Sequence, residues 1–257
     1  MTTGYVDIDG HPTWVSDSGP GPEVTVVLLH GGLSNSDAML ETIGGPIGAR
    51  HRIVAFDRRG HGRTADTDAP FHYDEMATET IAVLETVVGG PAVLVGWSDG
   101  GIVALLVSRR RPDLVARQVL IGANYHYDGV RELDLGPDSP LEAVMTEAYT
   151  ARSPDGADHF GVVVGKAVTL FATEPTLTVD DLRTVVTPTL VLVGDDDLVE
   201  LSHTVSLYES LPAGRLAVVP ATSHAVPMEA PAEVAHLVVD FIASPDPPST
   251  AMPSRRA

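Results

Sequence analysis

The chain contains no cysteine. Disulfides, thiolate nucleophiles and cysteine-ligated zinc or iron–sulfur centres are therefore excluded. Basic residues are also scarce: 16 Lys and Arg stand against 35 Asp and Glu, a formal net charge of −19. Binding to nucleic acid or to an anionic membrane surface needs clustered cations, so neither partner is expected. The excess acid reads as a solvated surface. No apolar run approaches the roughly 20 residues that span a bilayer. The N-terminus, Met1-Thr-Thr-Gly-Tyr-Val-Asp-Ile-Asp9, has no basic region followed by an apolar stretch, so no signal peptide is read there. A cytoplasmic location is the default expectation. Neither His-x-His nor His-Glu-x-x-His occurs among the ten histidines, so spacing offers no metal site and no cofactor is expected.

What is present is an ordinary globular composition, 44% hydrophobic and 20% charged over 257 residues. Two short strands, 6–9 and 11–16, flank Gly10 as an opening hairpin. Apolar runs at 24–29, 52–56, 91–95, 117–121, 189–193 and 216–219 read as buried strands. Helical patterns lie between them, at 74–88, after Gly101 as far as Arg111, at 202–211 and at 230–242. This alternation predicts an α/β fold, one mainly parallel sheet of about eight strands with helices on both faces. The rhythm lapses between 125 and 183, where two helical stretches, 141–151 and 160–172, occur without a strand. Residues 1–124 and 184–243 are therefore expected to form one discontinuous core around a helical insertion at 125–183. The Pro- and Ser-rich tail 244–257 is expected to be disordered.

The stretch with most chemical content is Pro91-Ala-Val-Leu-Val-Gly96-Trp97-Ser98-Asp99-Gly100-Gly101. A buried strand runs into Gly-x-Ser-x-Gly and then into a helix, the setting of a nucleophile elbow. The bare pattern is common by chance; the strand before it and the helix after it give it weight. Glycines belong there because a sharp strand-to-helix turn leaves no room for neighbouring Cβ atoms.

A serine needs a base, and the base needs an orienting acid. His224 is best placed, in the loop Ala221-Thr-Ser-His224 after a strand and before the last helix. His203 falls in a helix and reads as surface; His126 and His159 lie in the insertion. His30 and His61 sit between glycines and read as structural, with ring nitrogens bonded to backbone. The acid should come from Asp195, Asp196 or Asp197, among which spacing does not choose. Backbone donors for an oxyanion are expected from the amide of Asp99 and from His30-Gly31-Gly32-Leu33, each such donor being worth about 3–4 kcal/mol. His30, Asp57, Ser98, Asn124 and Asp197 all follow strand ends, so the chemistry should gather on one rim of the sheet.

His30-Gly31-Gly32, Asp57-Arg-Arg-Gly60-His61-Gly62, Gly96-Trp-Ser98-Asp-Gly100, Gly194-Asp-Asp-Asp197 and Ser223-His224, in this order, resemble the α/β-hydrolase superfamily over nearly the whole chain. The resemblance implies Ser98, Asp197 and His224 as catalytic residues, backbone of Gly32 and Asp99 as the oxyanion hole, and 125–183 as a small helical cap. Gly96-Trp-Ser-Asp-Gly-Gly with Gly122-Ala-Asn124 is similar to the biphenyl-hydrolase-like subgroup, whose members cleave α-amino esters. There the acid after the nucleophile is thought to anchor the substrate ammonium, a role that would fall to Asp99. The alternative is that Asp99 complements the helix dipole and bonds local backbone.

The implied activity is cofactor-free hydrolysis of a small ester or lactone through an acyl-enzyme. A C–C bond hydrolase or a perhydrolase could use the same triad, and a ligand-binding protein of this fold is an alternative of another class. Ser98 speaks against the dehalogenases and epoxide hydrolases of the fold, which use a carboxylate. Leu33, Trp97, Asp99, Asn124, Tyr125, His126, Tyr127, Tyr149, His159 and Phe160 are candidates to contact a small-molecule substrate. Their mixed aromatic and polar character fits a medium-sized, partly apolar ligand.

Overall fold

A computed structural model describes residues 1–21, 23–131, 140–246 and 250–252. Part of the insertion (132–139) and most of the tail beyond 246 lie outside the described residues.

Eight strands form one sheet in the order β1-β2-β4-β3-β5-β6-β7-β8. They are β1 (Thr2–Ile8), β2 (His11–Asp17), β3 (Val26–Leu29), β4 (Ile53–Phe56), β5 (Ala92–Trp97), β6 (Val115–Ile121), β7 (Thr189–Asp196) and β8 (Gly214–Ser223). β1 and β2 are an antiparallel hairpin, β2 meets β4 antiparallel, and every later pairing is parallel. Asp9 and Gly10 turn the hairpin with φ of 51° and 82°. A two-residue turn with both φ positive matches the twist of the strands it joins.

The central strands are apolar at every position because helices cover both faces. Val27, Leu29 and Leu94 face one apolar cluster, while Val26, Leu28, Val93 and Val95 face another, the alternation of a pleated strand. The first cluster is closed by α2 (Tyr73–Val83) and α3 (Asp99–Arg110). The second is closed by a helical run at 36–48 (α1), through Met39, Ile43 and Ile47, and by the terminal helix, through Val234, Val238 and Phe241.

Between β6 and β7 come α4 (Pro140–Thr150), α5 (Phe160–Thr173) and α6 (Val179–Arg183). Tyr149, Phe160, Val163, Ala167 and Leu170 from this stretch join the first cluster. After β7 follow α7 (Leu201–Ser210), then α8 (Val226–Glu229) and α9 (Pro231–Ala243) beyond β8. Sequence periodicity does not reveal α1 or α6, which are short and broken by glycine or capped by Thr178. It also misses α8, a single turn ahead of the helix expected at 230–242, from which it is separated by a break at Ala230 with ψ of 54° before Pro231. The start of the tail is tied down: Arg117 donates to the carbonyl of Ser244 and Arg215 to that of Pro245.

The sheet is wound outward in two directions from the gap between β3 and β5, and the crevice at the carboxyl ends of these strands is where such folds bind ligands. The loop 30–33 and Ser98 both stand there.

Glu79 of α2 is buried and accepts the amide of Arg59 at 3.3 Å. Burial raises its carboxyl pKa from 4.5 to about 7, against the pull of Arg59 and Arg58. A raised folded-state pKa gives a contribution to stability that is complete below pH 4.5 and is lost as pH rises through about 7. The stability difference between wild type and Glu79→Gln should therefore shift against wild type by on the order of 1–3 kcal/mol between pH 4.5 and 8, read from urea midpoints.

Glycine positions allow a second test. A Cβ on Gly100 would overlap the carbonyl of Leu29, whereas one on Gly161, on α5, meets nothing within 4 Å. Gly100→Ala should lower stability by more than about 2 kcal/mol. Gly161→Ala should raise it by about 0.5–1 kcal/mol, since alanine loses less entropy in a helix.

Candidate active site

β5 ends at Trp97 and α3 begins at Asp99, leaving one residue, Ser98, to make the turn. Ser98 sits at φ 54° and ψ −120°, a strained conformation for a residue with a side chain. Its carbonyl accepts the amides of Gly101 (2.8 Å) and Ile102 (3.1 Å), which starts the helix at once. Its own amide donates to Ile121 of the neighbouring strand at 2.8 Å. A Cβ on Gly96 would overlap the backbone of Gly100, and one on Gly100 would overlap the carbonyl of Leu29, so each glycine of the motif answers a backbone contact of its own. Ser98 is half-buried. The first amides of α3 have no acceptor within the helix, and the amide of Asp99 is the nearest of them in sequence to Ser98.

His224 lies in the loop between β8 and α8. Trp97 Nε1 donates to its carbonyl at 2.8 Å, and the preceding Ser223 is held by Glu229 through both its amide and its hydroxyl. So placed, His224 Nε2 is 3.0 Å from Ser98 Oγ, and Nδ1 is 2.7 Å from Asp197 Oδ1. Of the three consecutive aspartates, Asp195 and Asp196 are exposed, and Asp197 alone is buried. The register shift at the end of β7 re-aims the chain there. Asp197 Oδ1 also accepts the amide of Val199 at 2.9 Å. Gly122 makes room for the pair: at φ +57°, a Cβ would stand 3.1 Å from His224 Nδ1 and 3.3 Å from Asp197 Oδ2.

The loop His30-Gly31-Gly32-Leu33 follows β3. Gly32 is packed between Asp99 and Phe171 of α5: a Cβ there would lie 2.5 Å from Asp99 Oδ2 and 2.8 Å from Phe171 Cζ. Asp99 is 4% exposed, and its Oδ1 accepts the hydroxyl of the buried Tyr73 at 2.9 Å. Burial raises the Asp99 carboxyl above its usual pKa, while Arg58 opposes the rise. Burial and the neighbouring carboxylate push the Tyr73 phenol well up.

Both loop histidines bond backbone. His30 Nε2 accepts the amide of Arg58 at 3.1 Å, which leaves the proton on Nδ1, 2.7 Å from the carbonyl of Gly31. His61 Nδ1 is 3.0 Å from the carbonyl of Arg59. Burial lowers both rings, His61 to about 3, and Arg58 adds to the effect.

The other sequence candidates are occupied by the protein itself. Leu33 is a buried core residue at φ 53°. Asn124 donates to the carbonyl of His126. Tyr125 stacks on His203 with ring centroids 4.0 Å apart, and His203 accepts its amide. His203 is thus half-buried rather than on the surface, and burial lowers it to about 4. Tyr127 stacks on His126, Tyr149 meets Phe160 with tilted rings, and His159 bonds Asp66. A cavity of about 450 Å³ lies among Tyr125, His126, Leu177, Glu200 and His203, and one of about 270 Å³ among Arg59, Phe71, His72, Met76 and Glu79. Ser98 lines neither, so the chemistry is located by the hydrogen-bond geometry and not by cavity size. Arg58, Tyr73 and Phe171 were not singled out from the sequence, because a charged or aromatic letter carries no mark of burial. Among the described residues no cluster of three His, Asp or Glu could hold a metal ion, and no helix is long and apolar enough to cross a membrane.

The chain is similar to known hydrolases in sequence and in fold. Serine hydrolase BPHL of Mus musculus is 29% identical over 212 residues, covering 75% of this chain and 70% of that protein. The carbamate hydrolase RutD of Variovorax paradoxus, so named with reservation, is 31% identical over 243 residues, covering 84% and 91%. Among solved structures, a serine hydrolase of carbazole degradation superposes with a TM-score of 0.78 at 22% identity, covering 94% and 98%. The model of the alpha/beta hydrolase family matches residues 26–237, and the chain belongs to that family.

Proposed function

We propose that the protein is a serine hydrolase acting on a small carboxylic ester or lactone through an acyl-enzyme. The observation that carries this reading is the continuous chain Ser98 Oγ, His224 Nε2, His224 Nδ1, Asp197 Oδ1, with links of 3.0 and 2.7 Å. His224 donates from Nδ1 to Asp197, which leaves Nε2 free to take the serine proton. Ser98 Oγ attacks the carbonyl carbon as its proton passes to Nε2, and Asp197 stabilises the imidazolium that results. The amides of Gly32 and Asp99 receive the oxyanion. Collapse expels the leaving group, which takes the proton from Nε2. Water then repeats the sequence on the acyl-enzyme, with His224 as base and then acid, and frees the carboxylic acid. The relatives named serine hydrolase and carbamate hydrolase support acyl-group chemistry as the class.

The helices between β6 and β7 are proposed as the cap over this site. Four ion-pair groups support that reading, each joining the stretch to the core: Arg152 with Asp37, His159 and Lys166 with Asp66, Glu174 with His72, and Asp181 with Arg109. The internal bonding of Asp99 to Tyr73 supports a structural rather than a substrate-binding role for that carboxylate.

Wild type should release a burst of p-nitrophenol from short acyl esters, and Ser98→Ala should abolish it. Binding of an ester with no turnover, seen by calorimetry, would overturn the reading in favour of a ligand-binding protein. Asp197→Asn should keep the fold and lower kcat by roughly 10⁴-fold, because the amide favours the wrong tautomer of His224. A parallel screen of acyl esters, α-amino esters and lactones against Ser98→Ala identifies the substrate class.

A further inference from the structure

Arg58 is fully buried, and its guanidinium is turned onto the loop that supplies the proposed oxyanion donor. Nη1 donates to the carbonyl of His30 at 2.6 Å and Nη2 to that of Gly31 at 3.1 Å. The second bond matters most. The carbonyl of Gly31 and the N–H of Gly32 belong to one planar trans peptide, in which C=O and N–H point in opposite directions. Fixing that oxygen on Arg58 fixes the Gly32 N–H in the same plane, pointing away from Arg58. His30 Nδ1–H lies on the same oxygen at 2.7 Å, so the carbonyl is held by two donors, one of them a full cation. Positive charge at the oxygen end of a peptide also draws electron density from its nitrogen, which makes the N–H a stronger donor.

A second feature requires such a cation. The carboxylate of Asp99 lies within 2.5 Å of the position a Gly32 Cβ would take. Left alone, it would repel an oxyanion forming beside Gly32. The hydroxyl of Tyr73 and the charge of Arg58 are the groups that offset it.

We propose that Arg58 is a positioning residue, which acts through the Gly31 carbonyl to orient and polarise the Gly32 amide toward the oxyanion formed at Ser98. The proposal rests on the hydrolase reading above. It differs from a purely structural role in one respect: loss of Arg58 should weaken tetrahedral, negatively charged ligands and leave planar ground-state ligands nearly unchanged.

The test compares wild type, Arg58→Lys, Arg58→Gln and Ser98→Ala. Two ligands are used, a short alkylboronic acid and the carboxylic acid of the same chain length. In the first, Ser98 Oγ adds to boron, its proton passes to His224 Nε2, and the resulting borate carries the charge of the oxyanion. In Arg58→Gln the ratio of the two inhibition constants should move by roughly 10²-fold against the boronate, and kcat should fall by the same factor with KM within about threefold. Arg58→Lys, which keeps the charge but not the fork, should fall between, at about tenfold. Inhibition constants do not depend on the folded fraction, so partial unfolding of a variant leaves the ratio intact. An unchanged ratio in the Arg58 variants would remove the positioning role alone. Failure of wild type to bind the boronate through Ser98 would remove the hydrolase reading, and this proposal with it.

Discussion

The turn from β5 into α3 closes so tightly on itself and on the end of β3 that side chains are excluded at two positions, and the rest of the site is arranged around that packing. A Cβ at Gly96 would overlap Gly100, and a Cβ at Gly100 would overlap the carbonyl of Leu29. With both absent, the chain reverses within one residue, and that residue must hold φ at 54°. Such a conformation costs on the order of 1–3 kcal/mol. The surrounding sheet and helix, apolar and buried on both faces, over-determine it. The consequence is a serine hydroxyl fixed at the mouth of the crevice between β3 and β5, where the two halves of the sheet diverge.

Polar groups are then brought to that point in two layers. Facing the rim are His224 and Asp197, each on a loop after an adjacent parallel strand and held by Trp97 on one side and the Val199 amide on the other. Behind the rim lies a buried cluster of Arg58, Asp99, Tyr73 and Glu79. Buried charges are costly unless they are paired and hydrogen-bonded. Here the guanidinium of Arg58 meets two carbonyls while Asp99 and Glu79 supply the opposite charge nearby. The raised carboxyl pKa values of Asp99 and Glu79 are the sign that this compensation is incomplete.

Much of this arrangement could be read in the sequence, for reasons that differ by element. Six of the eight strands were legible because buried parallel strands are short, continuous apolar runs, the opening hairpin because Gly10 marks its turn, and the elbow because glycines there answer a steric demand. Spacing could not choose among Asp195, Asp196 and Asp197, since all three suit a turn; burial and the bond to His224 distinguish Asp197. The aromatics of the 125–183 stretch were harder. Tyr125, Tyr149 and Phe160 read equally well as lining or as packing, and their ring contacts, Tyr125 on His203 and Tyr149 with Phe160, arise from tertiary contacts that no local pattern encodes. The same holds for Arg58, which in the sequence is one of two adjacent arginines in Asp57-Arg-Arg-Gly60. Arg59 is half-buried while Arg58 is fully enclosed.

That difference between two neighbouring arginines bears on how the site works. Arg58 and Arg59 follow β4 where the chain begins to turn, and Arg58 is the one of the pair that goes into the interior. The inward one encounters the carbonyls of His30 and Gly31, which have lost their sheet partners where β3 ends. A neutral donor would satisfy those oxygens equally well as hydrogen-bond partners. A guanidinium does more, because it satisfies two oxygens at once in a fixed fork and places a permanent charge beside the peptide that joins Gly31 to Gly32. The strained serine and the buried arginine therefore answer one constraint from its two sides. The turn brings Ser98 against the end of β3, and the guanidinium of Arg58 satisfies the carbonyls left open there.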